Sequence, residues 1–357
     1  MKKIRLCVIF GGVSTEHDIS VLSATSVLKN LNRDKYDIMP VGITKDGAWY
    51  YAPNLDLENT AGWVDSEGAV PVTLSANRAL TGLVSLEDAC VFPIDCVFPV
   101  LHGFNGEDGT IQGLFEVASI PYVGCGVSAS AMSMDKSITK VIVEKAGVPQ
   151  ADYLVINTLD MQDVDACVKK VEDKFTYPVF VKPASTGSSV GVNKARDRES
   201  LIFAFNDAIQ YDSKFLVEEF IDGREIETAV MGNEDAVVSV CGEVLAEQEF
   251  YSFDAKYNDT SSKTQIPADL PEDLANEVRR LALIVYHSLG AAGLSRVDFF
   301  VCKDGRIVFN EINTLPGFTS ISMYPKLFGA VGVSYSDLLD KIVDFAFSAY
   351  EIKKKYK

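Results

Sequence analysis

Residues 295–317, SRVDFFVCKDGRIVFNEINTLPG, place acidic and amide side chains at a spacing that suits cation chemistry. Asp304-Gly305 lies between two apolar alternations, a hairpin signal because both residues tolerate the backbone of a tight turn. A two-residue turn sets Lys303 against Arg306, and counting back along both strands sets Asp298 opposite Glu311 and Arg296 opposite Asn313. Like charges in facing positions destabilise a sheet, so a cation is expected between them. Asn313, two residues beyond Glu311, points to the same face. Asp298, Glu311 and Asn313 are an all-oxygen set without Cys or His, which suits a hard ion such as Mg2+ that shares its remaining positions with water and phosphate. A salt bridge from Arg296 is the alternative. One guanidinium does not neutralise two facing carboxylates, and an uncompensated buried charge is costly.

A metal held in this way implies phosphate nearby, and VFVKPASTGSSVGV supplies donors for it: Lys182 closes an apolar strand and is followed by small residues whose N–H groups can approach an anion. No Gly-x-x-x-x-Gly-Lys-Ser/Thr occurs, which disfavours a P-loop nucleotidase. GCGVSA, residues 124–129, fits a dinucleotide-binding pattern and supports a rival oxidoreductase reading. That reading fails on its acidic partner, because Glu144 falls in the helical run ITKVIVEKAG rather than at the end of a second strand. Glu16 and His17 follow the first strand, and His102, Glu107 and Asp108 lie in a second glycine loop, where an open α/β sheet binds ligands. A helix cap is the structural alternative for Glu16. His287 sits in an apolar helical run and reads as structural.

These groups need a scaffold. From residue 4 the pattern runs strand (4–10), glycine turn, helix (about 19–30), strand (37–43), a variable polar stretch, then a strand (96–99) followed by LHGFNGEDG. Such alternation predicts α/β architecture with a parallel sheet. A second unit opens near SMDKSITKVIVEKAGVP, where Ser133 or Asp135 caps a helix ending at Gly147. A third starts at FLVEEFIDGREIETAVMG and carries the hairpin, the helix LANEVRRLALIVYHSLG and a last helix near 335–350. The polar run EFYSFDAKYNDTSSKTQIPAD reads as a long loop, and long loops in compact domains are often lids.

At 357 residues and 47% hydrophobic, the chain has material for two or three domains. A net charge of −17 argues against nucleic acid as a partner. Seven cysteines without a CxxC pair, beside three scattered histidines, give neither a zinc spacing nor a disulfide framework, so a reducing cytoplasm is expected. The apolar run after MKK is too short for a signal peptide, and no segment approaches the roughly 20 apolar residues that span a bilayer, so no membrane is expected.

The order and spacing of IFGGVSTEHDIS, PVLHGFNGEDGTIQGLFE, MDKSITK, YPVFVKPASTGSSVGV, VEEFIDGREIE, FDAKY, SRVDFF and FNEINTLPGFTSISMYP resemble the ATP-grasp superfamily, specifically the D-alanine:D-alanine ligases. The likeness covers almost the whole chain. It implies an N-terminal α/β substrate-binding domain (1–130) with an open parallel sheet, a central domain (131–217), and a C-terminal catalytic domain (218–357) with a lid at about 250–264. ATP would lie between the last two, which are α+β. Two Mg2+ ions, or Mn2+ in their place, would bridge its phosphates on Asp298, Glu311 and Asn313. Lys136 and Lys182 would meet the phosphates, Glu218, Glu219 and Asn310 would line the nucleotide pocket, Glu225 would hold the ribose, and Lys256 would come from the lid.

The implied reaction forms D-alanyl phosphate from ATP and D-alanine, and a second D-alanine then attacks to give the dipeptide used in peptidoglycan precursors. Glu16 would hold the first ammonium, linked through Ser188 to Tyr257. His102 would border that substrate, Arg296 and the Gly317 N–H would stabilise the tetrahedral oxyanion, and Ser322 would help bind the second substrate. A homodimer is expected. Ile321 stands where some relatives have His. The alternative second substrates are D-serine and D-lactate. Tyr257 and the apolar Met323, where D-serine ligases tend to have arginine, favour D-alanine; a thioether offers the serine hydroxyl little. Retention of the three metal-ligand candidates and Arg296 argues against a noncatalytic relative.

Overall fold

The computed structural model describes residues 2–245 and 263–356. The first strand, β1 (Ile4–Gly11), has Leu6 to Phe10 fully buried, as an all-apolar strand must when both faces are covered. It is followed by α1 (His17–Asn30) and β2 (Tyr36–Ile43), which returns parallel to β1. The variable polar stretch beyond is itself structured. It holds β3 (Trp49–Tyr51), β4 (Val70–Leu74), β5 (Gly82–Ser85) and β6 (Val91–Pro93), each antiparallel to its predecessor, before β7 (Cys96–Val100) pairs parallel to β1. The expected open parallel sheet is therefore parallel only across β2, β1 and β7 in a 7-stranded sheet. Connections without a helical crossover permit only antiparallel neighbours, and strands this short leave too little alternation to be legible.

Three helices follow: α2 (Thr110–Ala118), α3 (Val127–Met134) and α4 (Lys136–Lys145). Of the two candidate caps for α4 the structure uses Asp135, whose carboxylate accepts the Ser137 and Ile138 N–H groups. The second sheet contains β8 (Tyr153–Asn157), β9 (Val179–Pro183), β10 (Asn193–Ala195) and β11 (Lys214–Glu219), all antiparallel, with α5 (Val164–Lys174) and α6 (Arg198–Ala208) packed against it. The third is built from β12 (Gly223–Gly232), β13 (Val237–Leu245), β14 (Lys263–Gln265), β15 (Gly293–Cys302) and β16 (Ile307–Asn313). Its helices are α7 (Glu272–Ser288), α8 (Met323–Gly329) and α9 (Tyr335–Lys354). Lys263 pairs with Leu245, so the last two residues of the expected lid belong to a strand. The rest of that lid, with Lys256 and Tyr257, lies outside the described residues.

Apolar packing divides the molecule differently from the sheets. Leu6, Val8 and Phe10 of β1 share one core with Tyr324 and Leu327 of α8 and Leu338, Ile342 and Val343 of α9. The second sheet packs on its own helices through Val181, Phe205, Phe215 and Val217, with all members of that cluster between residues 154 and 217.

The opening hairpin departs from its expected turn. Cys302, not Lys303, faces Arg306: its N–H donates to the Arg306 carbonyl at 2.9 Å, and the Gly305 N–H donates back to the Cys302 carbonyl at 3.0 Å. Gly305 takes φ +86°, a left-handed value that glycine adopts without strain. A three-residue turn shifts the register by one, and Asn310 then enters as a bulge that shifts it back: Phe299 faces Phe309, while Asp298 faces Glu311 and Arg296 faces Asn313. The facing carboxylates form as expected, through two offsetting irregularities.

Candidate active site

The register builds a row of acids. Glu227 on β12 stands opposite Asp298 on β15, which stands opposite Glu311 on β16. Arg296 enters this row with Nε and Nη2 at 2.8 and 2.7 Å from the two Asp298 oxygens and Nε 2.9 Å from Glu227. The salt bridge weighed against a metal is therefore present. Burial works against the charge on Arg296, but Asp298 and Glu227 overcome it and hold the guanidinium well above its ordinary value. Among the described residues, Arg296 is the cation whose ion pairs join this row of three carboxylates. Asn313 donates to Asp298 at 3.1 Å, on the face that the sequence assigned to it. Among the described residues no three Asp, Glu, His or Cys side chains converge as a ready cage. Two carboxylates and an amide nevertheless fit Mg2+, which takes few protein ligands and completes its shell with water and phosphate.

Between the second and third sheets lies a cleft of about 510 Å³. Its lining includes Lys136, Lys182, Ser188, Glu218, Glu219 and Glu225, with Asn310 and Glu311 from the hairpin. The bulge explains how adjacent residues both reach it, since regular strand neighbours point to opposite faces. Phe180, Phe220, Phe300 and Phe309 supply apolar wall for a flat ring, while the lysines gather at the other chemistry. Lys182 Nζ is 2.8 Å from one Glu218 oxygen and 3.2 Å from Asn310 Oδ1. Lys136 donates to the Thr186 carbonyl at 2.6 Å, bracing the Gly/Ser loop. Lys140, which the sequence reading passed over, lies 3.1 Å from the other Glu218 oxygen. Burial opposes ionisation of Glu218, yet Lys140 and Lys182 together hold its carboxyl down at about 2. The signal for Lys140 was its spacing, four residues after Lys136 on one helix face.

The first sheet brings its groups to the same region. Ser188, left-handed at φ +52°, donates its hydroxyl to Glu16, so the expected link between Glu16 and the Gly/Ser loop is made. Gly103 is required here: a Cβ on it would stand 2.4 Å from Glu16 Oε2. His102 bonds the Leu315 carbonyl at 3.2 Å and Ser23 Oγ at 3.2 Å. Burial outweighs the pull of Glu16 and lowers the His102 imidazole below its usual range. Glu107 accepts the Gly103 N–H at 2.8 Å and the Leu315 N–H at 3.3 Å. Burial, reinforced by repulsion from Glu16, pushes its carboxyl up to about 8.

The segment after β16 is thus tied to the first sheet on both sides of Leu315. It carries Gly317, on which a Cβ would stand 2.9 Å from Ser322 Oγ, so the backbone and this hydroxyl are close neighbours. Ser322 Oγ also accepts the Thr319 N–H at 3.0 Å. Met323, the first residue of α8, packs into the shared core against Gly242, beside Leu327.

Two family models match the chain: "D-ala D-ala ligase N-terminus" over residues 5–125 and "D-ala D-ala ligase C-terminus" over residues 142–344. A D-alanine--D-alanine ligase of Acetivibrio thermocellus is 51% identical, covering 98% of this chain and 97% of its own length. One from Caldicellulosiruptor bescii is 47% identical, covering 100% and 99%. Among solved structures, a D-Ala:D-Ser ligase from Enterococcus faecalis superposes with a TM-score of 0.88 at 39% identity, covering 97% of this chain and 100% of that one. A D-alanine-D-alanine ligase from Coxiella burnetii gives 0.87 at 32% identity, covering 99% and 98%. The three-sheet architecture is the ATP-grasp fold, and the chain belongs to the D-alanine–D-alanine ligase family.

Proposed function

We propose that this chain joins two D-alanine molecules at the expense of ATP, supplying the dipeptide for peptidoglycan precursors. The observation that carries the reading is the cleft in which lysines of the central region face Asn310 and Glu311, while the Glu16–Ser188 bond brings the first sheet to the same place. Domains at about 1–130, 131–217 and 218–357, a homodimer and a cytoplasmic location complete the reading. No described helix is long and apolar enough to cross a membrane.

Lys136 and Lys182 hold the nucleotide phosphates, Glu225 the ribose, and Glu218 with Glu219 the base end of the pocket. Asp298, Glu311 and Asn313 would hold Mg2+, as two ions, with Mn2+ a substitute. Such an ion supplies charge neutralisation on the phosphates. Glu16, fixed by Ser188, holds the ammonium of the first D-alanine, whose carboxylate takes the γ-phosphoryl group and releases ADP. The amine of the second D-alanine attacks the acyl carbon, the tetrahedral intermediate expels phosphate, and the new peptide bond remains. Arg296 and the Gly317 N–H meet the developing oxyanion, where fixed donors are most effective. Ser322 orients the second substrate, and His102 borders the first. Lys256 and Tyr257 are assigned to a closing lid by family likeness.

The relatives that match nearly the full chain at 51% and 47% identity are named for D-alanine ligation, which supports D-alanine over D-serine as the second substrate. The test is phosphate release with ATP, Mg2+ and D-alanine, followed by product mass with D-serine at equal concentration. D-Alanyl-D-alanine is expected to predominate. D-Alanyl-D-serine as the main product would overturn the substrate assignment.

A further inference from the structure

The lysine beneath the cleft has no place in the mechanism above. Lys140 Nζ is buried, with its side chain 3% exposed, whereas Lys182 is 15% exposed and lines the cleft. Glu218 stands between them, one oxygen 3.1 Å from Lys140 and the other 2.8 Å from Lys182. Lys140 is also seated by the Ala151 carbonyl at 3.4 Å and lies 5.2 Å from the centre of the Tyr153 ring. Placing an ammonium in such a site costs free energy that an apolar side chain would not, so its presence needs a reason.

The reason lies in the count of charges. Glu218 and Lys182 alone make a neutral pair, and a lysine so neutralised attracts phosphate weakly. A second ammonium on the far oxygen leaves the cluster with one net positive charge, and Lys182 is its cleft-facing member. We propose that Lys140 is a positioning residue for nucleotide phosphate: it shares Glu218 with Lys182 and so leaves the charge of Lys182 available to the cleft. The proposal rests on the ATP reading of the cleft. The depressed carboxyl of Glu218 agrees with it, since Lys140 is the largest of the charges that hold it ionised.

A merely structural brace between α4 and β11 would affect all ligands of the cleft alike, whereas a charge acts on phosphate. The readout is the ratio of ADP affinity to adenosine affinity, measured by titration calorimetry in metal-free buffer at fixed ionic strength. Lys140→Met is expected to lower that ratio about tenfold, the order expected for one partly screened charge several ångströms away. Glu218→Gln, which leaves two cations, should raise it. The double variant Lys140→Met/Glu218→Gln restores the original net charge and should return the ratio to within about threefold of wild type. Because each value is a ratio within one protein, a loss of base contacts on altering Glu218 cancels. An unchanged ratio in Lys140→Met, or a double variant that stays as low as Lys140→Met, overturns the proposal. If Lys140→Met does not fold, the comparison of Glu218→Gln with the double variant carries the test, and equal ratios there overturn it. A wild-type chain that binds neither probe overturns the nucleotide reading itself, and the charge assignment with it.

Discussion

The second sheet and the other two are held together in different ways, and the site is divided between them. The unit around β8 to β11 has a closed core of its own, whereas β1, β12, α8 and α9 contribute to one continuous core. Glu16 follows β1 of that core, Arg296, Asp298 and Glu311 lie on the third sheet that shares it through β12 and packs on α7 through its own cluster, and Lys182 and Ser188 belong to the separate unit. The two parts meet at the site through polar contacts, Lys182 with Asn310 and Ser188 with Glu16. Apolar packing therefore fixes the acids proposed to hold the metal and the first substrate relative to one another. The lysine and serine that complete the site arrive on a body with its own stability.

The largest test of that division is in the core of the separate unit. Phe215 is fully buried there and stacks on Phe205 with ring centres 5.1 Å apart. Phe215→Ala should remove about 3–5 kcal/mol from this unit. Calorimetry should show one transition lowered while the remainder unfolds where it did before. An equal shift of all transitions would show that the cores are coupled. On the continuously packed side, Glu311→Gln should reduce ADP release at least about a hundredfold with an unchanged circular dichroism spectrum, because it removes charge from the metal row. Activity within about threefold of wild type would remove Glu311 from the metal site.

Glu107 offers a smaller effect with a defined sign. Its carboxyl is raised to about 8 in the folded chain against about 4.3 when unfolded. Between those values the folded state binds the extra proton, so this contribution is full below about pH 4 and is lost as pH rises toward 8. The slope is at most about 1.4 kcal/mol per pH unit. Denaturant titrations at pH 5.5 and 8 should show it in the unliganded wild type and much less of it in Glu107→Gln; parallel slopes would refute the raised value. The smallest effect concerns the contact between the two parts. Ser188→Ala removes the bond to Glu16 and should lower kcat/KM for D-alanine about three- to tenfold, roughly the net worth of one ordinary hydrogen bond. No change in kcat/KM would mean that Glu16 is held without it.

What the sequence showed and what it hid follow from the range of the forces involved. The hairpin acids, the Asp135 cap and the glycine loop after Lys182 were legible because each rests on neighbours within a few residues. The strands between residues 49 and 93 were not, since they are too short to show a period and form by pairing with a sheet already in place. The hairpin shows the limit of counting: a wrong turn length and an unseen bulge at Asn310 cancelled, leaving Asp298 opposite Glu311. Glu227 escaped notice because its partners, Asp298 and Arg296, lie on another strand of the third sheet.

The continuous core also fixes an order of events during synthesis. A chain emerging from the ribosome ordinarily completes its leading domain first, at about 5–20 residues per second. Here β1 leaves early but cannot bury Leu6, Val8 and Phe10 against Leu338, Ile342 and Val343 until the last helix has been made. The unit that ends at Glu219 draws its apolar core from residues 154 to 217 alone. It can close while the first sheet still waits roughly ten seconds for its remaining wall. The middle of this chain is set to mature before its beginning, and the nascent first sheet is the part most in need of a chaperone.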